Sequence, residues 1–189
     1  MRHDQDRVFF EFFSTMIEAT PLLSRERLSG VSFPNQVGGG TALYNAIAVA
    51  CTDRMGSPDW RTPARRVIVL VSDGDDNLSS ITRAKAEALL VSSGVVVFTI
   101  ATNNTGRESK GESVLEKFSD SSGGIFYSRF HQRDMPKVFD QIREQIESMY
   151  YLSYTPPVTQ RGGVHKVEVQ PVKGIKAQFR MPRYYASNP

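Results

Sequence analysis

A chain of 189 residues, 40% hydrophobic and 23% charged, has room for one domain of ordinary core size with an appendage, and its composition excludes wholesale disorder. No apolar run approaches the roughly 20 residues that span a bilayer, and the single cysteine, Cys51, excludes an internal disulfide and a cysteine-built zinc site. The net charge of +3 is too small to point to nucleic acid, and none is expected as a partner.

The opening MRHDQDRV lacks the apolar core of a signal peptide, which leaves the compartment open. Residues 8–13 (VFFEFF) are strongly β-prone, and residues 16–20 follow after Ser14-Thr15, so a hairpin is predicted, ended by Pro21. Ser24 is placed to cap a helical turn over 24–28. A loop then runs to Gly38-Gly39-Gly40. From Thr41, the expected cap, Ala42, Leu43, Ala46, Ile47, Val49 and Ala50 recur at helical spacing to about Met55.

After a proline-containing loop at 56–64 comes the stretch around which the chain is organised, residues 66–77 (RVIVLVSDGDDN). The apolar run is too short for a useful helix, is rich in β-branched residues and stops at Ser72-Asp73-Gly74. It reads as a strand buried on both faces. Ligands of open α/β sheets sit just past the carboxyl ends of such strands. Asp73 stands at that place, with Asp75, Asp76 and Asn77 behind it.

Ser79 or Ser80 is expected to cap a second helix, with Ile81, Ala84, Ala86, Leu89 and Leu90 inward and a stop at Gly94. Residues 95–100 (VVVFTI) form another buried strand. A polar loop at 102–111 leads to a short helix over 114–118, and Gly123-Gly124 turns the chain into a strand at 125–128. Asp134 and Pro136 open a last long helix with Val138, Ile142, Ile146 and Met149 on one face. Strands alternating with helices predict a parallel, three-layer α/β domain over residues 1–150. In 151–189, residues 165–170 and 175–180 alternate polar and apolar around a turn at 171–174. An antiparallel β appendage with one wet face is expected there.

Few chemical motifs survive inspection. Asp73, Asp75 and Asn77 fall at the first, third and fifth places of a calcium loop, but Leu78 and Ala84 stand where Gly and Glu are required. The glycines before Thr41 lack the Lys-Ser/Thr pair of a P-loop, and Leu43 occupies the third-glycine place of a dinucleotide fingerprint. What remains is a hydroxyl, Thr41, at a helix start. Neither a Gly-x-Ser-x-Gly elbow nor a His-Glu-x-x-His pair occurs, and His3, His131 and His165 are scattered. Cys51 reads as a core thiol, and Trp60 lies in a loop. In the tail, Arg161, Lys166, Lys173, Lys176, Arg180 and Arg183 oppose Glu168 alone, as on a solvated hairpin face. The sharper alternative is contact with an anionic surface.

Residues 38–46 (GGGTALYNA), 67–77 (VIVLVSDGDDN) and 94–100 (GVVVFTI), in that order, resemble the von Willebrand factor type A domain. The YLSYTP segment after the last helix and the closing RYYA look like its bacterial branch. The resemblance implies a Rossmann-like domain, non-enzymatic in most members, that binds Mg²⁺ at the carboxyl edge of its sheet. A carboxylate from a partner protein often completes the metal's shell. By that resemblance Thr41 and Asp73 match metal-site residues, and Asp75 and Asn77 are candidates for partner contact. Members are often exported.

The family's first strand ends in Asp-x-Ser-x-Ser, and this chain has no such sequence. Asp120-Ser121-Ser122 lacks the spacing. The expectation is therefore an N-terminally incomplete domain without its first strand and helix, with too few ligands to bind Mg²⁺ tightly. Unpaired strand edges beside residues 8–13 and 67–71 are expected to invite self-association. The alternative is a nucleotide- or phosphate-binding Rossmann-like enzyme using Gly38 to Thr41.

Overall fold

At the centre of the protein lies a strand of six residues that is buried almost throughout, β4 (Val96–Ala101). The computed structural model describes residues 6–32, 34, 39–55, 64–103, 109–150, 164–166, 170, 172–174 and 183–185. On one side β4 pairs in parallel with β3 (Val67–Ser72), and on the other with β5 (Phe126–Tyr127), giving the order β3-β4-β5. Helices α1 (Leu43–Val49), α2 (Arg83–Ser93) and α3 (Lys110–Ser122) bury Leu43, Ile47, Leu90, Leu115 and Phe118 against Leu70, Val97 and Ala101. Helix α4 (Met135–Glu147) packs Val138 and Ile142 on Phe98 and Ile100 from the opposite face. The result is the expected three-layer, Rossmann-like α/β architecture. Each large apolar side chain so buried contributes about 1.5–3 kcal/mol.

The seam between α3 and β4 is polar yet satisfied. Thr99 Oγ1 bonds the Leu115 carbonyl at 3.1 Å and the Ser119 hydroxyl at 2.5 Å, while Ser122 Oγ accepts the Val97 N–H at 2.9 Å. Asp120-Ser121-Ser122 thus closes a helix. That helix is longer than the 114–118 expected, for a reason written in the sequence. Ser109 and Glu112 form a reciprocal capping box that starts it at Lys110.

Several other boundaries move. Helix α1 begins after Ala42, not after a Thr41 cap, and passes into a π-helical turn, Ala50–Arg54. Thr82, not Ser79 or Ser80, caps α2 by accepting the Lys85 N–H at 3.3 Å. Both serines are drawn to α1 instead. Ala84, expected inward, is exposed, whereas Ala86 and Leu90 are buried. The turn at Arg25–Gly30 forms as a 3-10 helix, without a side-chain cap from Ser24.

The predicted N-terminal hairpin is present as β1 (Glu11–Phe13) and β2 (Ile17–Ala19), closed by Ser14 to Met16. It makes a sheet of its own, and among the described residues β1 does not join the β3-β4-β5 sheet. Phe13 packs on the core beside α1. In the C-terminal segment β6 (Val164–Lys166) pairs antiparallel with β7 (Arg183–Tyr185), so the β character holds, with Lys166 opposite Arg183. The partner strand predicted at 175–180, like His3, Gly38 and Trp60, lies outside the described residues.

Glu11 on β1 carries one buried carboxylate oxygen, Oε2, with no hydrogen-bond partner among the described residues. Burial pushes its carboxyl up from 4.5 to about 7, against the pull of Arg54 and with Asp53 adding to the rise. The folded protein therefore holds a proton that the unfolded chain releases. Stability from this group is full below the unfolded value of 4.5 and declines as pH rises through about 7. Urea unfolding at pH 5.5 and 7.5 is expected to show wild type losing stability relative to Glu11→Gln as pH rises. A parallel response of the two proteins would show that Glu11 does not titrate in this window.

Candidate functional site

The carboxyl end of β3 and the start of α1 are stitched into one rim. An α-helix begins with unpaired N–H groups, and α1 has no side-chain cap of its own. The loop after β3 supplies the acceptors. Asp76 Oδ2 accepts the Tyr44 N–H and Ser79 Oγ accepts the Asn45 N–H, each at 3.0 Å. Asp76 is itself fixed by the Ser79 N–H at 3.2 Å and the Ser79 hydroxyl at 2.5 Å. In return, Asn45 Oδ1 accepts from the Ser80 N–H and hydroxyl, both at 3.2 Å. A carboxylate at a positive helix end is stabilising for electrostatic reasons as well.

One turn earlier the same exchange holds Thr41. Its N–H donates to Asn77 Oδ1 at 2.7 Å, and its carbonyl accepts the N–H groups of Asn77 and Leu78 at 3.0 and 3.1 Å. A side chain on Gly40 would place its Cβ 2.3 Å from Leu78 Cδ1, so Leu78 would have to turn aside where the two loops touch. Asp73, immediately after β3, accepts the Asp75 N–H on Oδ1 at 3.1 Å, and the buried Ser72 hydroxyl accepts the Gly74 N–H at 3.0 Å. Thr41 and Asp73 thus share one rim, with Asn77 linking their loops. Asp75 is exposed there, whereas the Asn77 carbonyl oxygen is committed to Thr41.

A Mg²⁺ ion requires near-octahedral oxygen ligation. Both Asp76 oxygens and Asp73 Oδ1 already accept hydrogen bonds. The residues expected to bind metal place one hydroxyl, on Thr41, and one exposed carboxylate, on Asp73, at this rim. Among the described residues no group of three or more His, Cys, Asp or Glu is arranged around a metal-sized space. Of the residues in the phosphate-cradle alternative, Thr41 donates its N–H to Asn77, and just behind it the N–H groups of Tyr44 and Asn45 also donate internally.

Sequence reasoning named Asp76 only as a neighbour of Asp73, took Ser79 as a cap for the second helix, and passed over Asn45; it did not show that these residues join the two loops. The available signal was a helix start with no capping residue of its own beside a loop rich in short polar side chains.

Below the rim, β3 departs from expectation. Its face toward α1–α3 is covered, with Leu70 and Ser72 buried, but Val69 and Val71 are 38% and 43% exposed. A strand buried on both faces was expected from the unbroken apolar run. The reason for the exposure is the path of α4. That helix starts beside Tyr127 at the end of β5, and Arg65, just before β3, donates to the Ile146 carbonyl near its far end at 3.3 Å. It therefore crosses the sheet diagonally, covering Val67 at the foot of β3 and leaving the upper half bare. Among the described residues β3 is also an edge strand, with no strand on its outer side.

The fold is similar to that of a solved aerotolerance-related membrane protein from Bacteroides fragilis, with TM-score 0.55 and 18% identity over 78% of this chain and 82% of that one. A second solved structure, an uncharacterized membrane spanning protein from Vibrio fischeri, aligns with TM-score 0.37 and 18% identity over 75% of this chain and 77% of that one. No family model and no curated protein matches the sequence. No helix among the described residues is long and apolar enough to cross a membrane.

Proposed function

We propose that this chain is a protein–protein interaction module of the von Willebrand factor type A kind, not an enzyme, and that it engages protein through the upper edge of β3 and the rim above it. The bare upper half of β3 carries this reading. Six residues, VIVLVS, present a backbone edge that is unpaired among the described residues and carries no charge or proline, and two exposed valines lie on one face. Such an edge is a template for a further strand, since main-chain hydrogen bonds supply affinity and side-chain contacts supply selectivity. In relatives that carry the Asp-x-Ser-x-Ser sequence, the residues matching Thr41 and Asp73 would help hold Mg²⁺, which would offer a coordination site to a partner's carboxylate. Contact in this chain is assigned to the strand edge. A non-enzymatic reading is further supported by the internal use of the Thr41 N–H, one of the groups that would hold a phosphate.

Light scattering after size-exclusion chromatography tests this reading. The wild type is expected to self-associate with rising concentration, equally with Mg²⁺ or EDTA. Val69→Lys/Val71→Lys, which charges the exposed face beside the edge, is expected to remain monomeric with an unchanged circular dichroism spectrum. A wild type that stays monomeric at the highest concentration reached removes the edge as an assembly surface.

A further inference from the structure

We propose a second contact point on the same rim: the cleft at the carboxyl end of β5 binds a carboxylate-bearing segment of a protein partner. The cleft has a volume of about 470 Å³ between the end of β5 and the start of α4. That is enough for a few side chains and too small for a folded surface. Since β5 is two strands from β3, the cleft lies roughly 10 Å along the rim from Asp73.

Its chemistry is that of an anion site with an apolar floor. Phe130 and Val138 supply the apolar surface, and the cleft is rimmed by Arg129, His131 and Lys137. Its one acidic residue, Asp134, is held by Lys137 at 3.1 Å. The Arg129 guanidinium has no carboxylate partner among the described residues. It presents a planar fork of donors suited to a carboxylate. Tyr127 adds a hydroxyl whose pKa burial pushes up, so it stays protonated and able to donate.

The backbone at Arg129 makes the same point independently. Its φ is +56°, the only positive φ on a non-glycine residue among those described. An L-residue with a side chain is strained there, and a glycine would not be. The chain nevertheless places its longest cationic side chain at that position, at the mouth of the cleft. Strain of this kind is typical of residues held for binding.

The cleft serves the interaction function proposed above, yet the two fail separately: a peptide-binding failure leaves the β3 self-association result standing, and the reverse also holds. The test is fluorescence anisotropy with a labelled, capped Gly-Glu-Phe-Glu-Gly peptide and its Gly-Gln-Phe-Gln-Gly counterpart, on the full chain. The acidic peptide is expected to bind at least roughly tenfold tighter, as for the loss of one charge-assisted contact. Arg129→Gly is expected to weaken it by a similar factor while the melting temperature holds or rises, because glycine relieves the strained φ. Arg129→Lys, which keeps the charge, is expected to bind more tightly than Arg129→Gly. Equal binding of the two peptides, or full binding by Arg129→Gly, would overturn the proposal. So would inorganic phosphate binding more tightly than the acidic peptide, which would make the cleft a phosphate site.

Discussion

Replacing Gly74 by alanine is expected to lower the melting temperature by roughly 6–12 °C, corresponding to about 3 kcal/mol in a chain of this size. Two costs combine. Gly74 has φ +84°, where an L-residue is strained by about 1–2 kcal/mol. The added Cβ would also stand 2.1 Å from the Gly111 carbonyl oxygen, and overpacking against a partner that cannot turn aside costs about 1–3 kcal/mol. The contact is mutual, since a Cβ on Gly111 would meet the Asp73 carbonyl oxygen at 2.2 Å. Two glycines, one after β3 and one in the first turn of α3, let backbone lie against backbone and so fix the loop that carries Asp73 and Asp75. Gly111→Ala gains helix propensity of about 0.8–1 kcal/mol, so it is expected to be the milder change. The double substitution is expected to cost less than the sum, because both relax by widening one seam. Thermal unfolding followed by circular dichroism checks all three variants. An unchanged melting temperature for Gly74→Ala would mean that the seam opens freely.

Much of the fold could be read from the chain because hydrophobic period and helix-end chemistry are local. Strand β4, the Gly94 stop of α2 and the Val138–Ile142 face of α4 all follow from runs and spacings within a dozen residues. The capping box at Ser109 and Glu112 was equally local, but the polar loop before it concealed the early start of α3. Other features depend on where distant elements fall. An apolar run such as 67–71 cannot reveal that α4 crosses diagonally and leaves Val69 and Val71 bare. Likewise, Asp76 and Ser79 look like ordinary turn residues until α1 arrives with two unpaired N–H groups. At the rim, the switch-point rule located Asp73, and the family resemblance paired it with Thr41. Neither showed that Asp76 and Asn77 accept from the N–H groups of Tyr44 and Thr41.

That internal use of the rim makes Asp76 the residue whose loss should be felt most widely after Gly74. Asp76→Ala removes the acceptor for the Tyr44 N–H and both contacts to Ser79. A helix cap is worth about 0.5–2 kcal/mol, and hydrogen bonds to a charged group about 1.5–3 kcal/mol. A loss of about 2 kcal/mol follows, or roughly 4–8 °C in melting temperature. Asp76→Asn keeps one acceptor oxygen but turns an amide N–H toward a donor, so it is expected to recover only part of the loss. The distinguishing measurement is a double-mutant cycle with Ser79→Ala. Because Ser79 caps the next N–H of α1 and also donates to Asp76, the two losses should couple by 0.5 kcal/mol or more, in the range of about 0.5–3 kcal/mol seen for residues of one network. Additive losses would mean that the carboxylate and the hydroxyl act on α1 separately, and the rim would then be two loops lying side by side. Strong coupling would mean that α1 cannot shift without moving the Asp73 loop, so a partner bound along the β3 edge would be felt at Thr41.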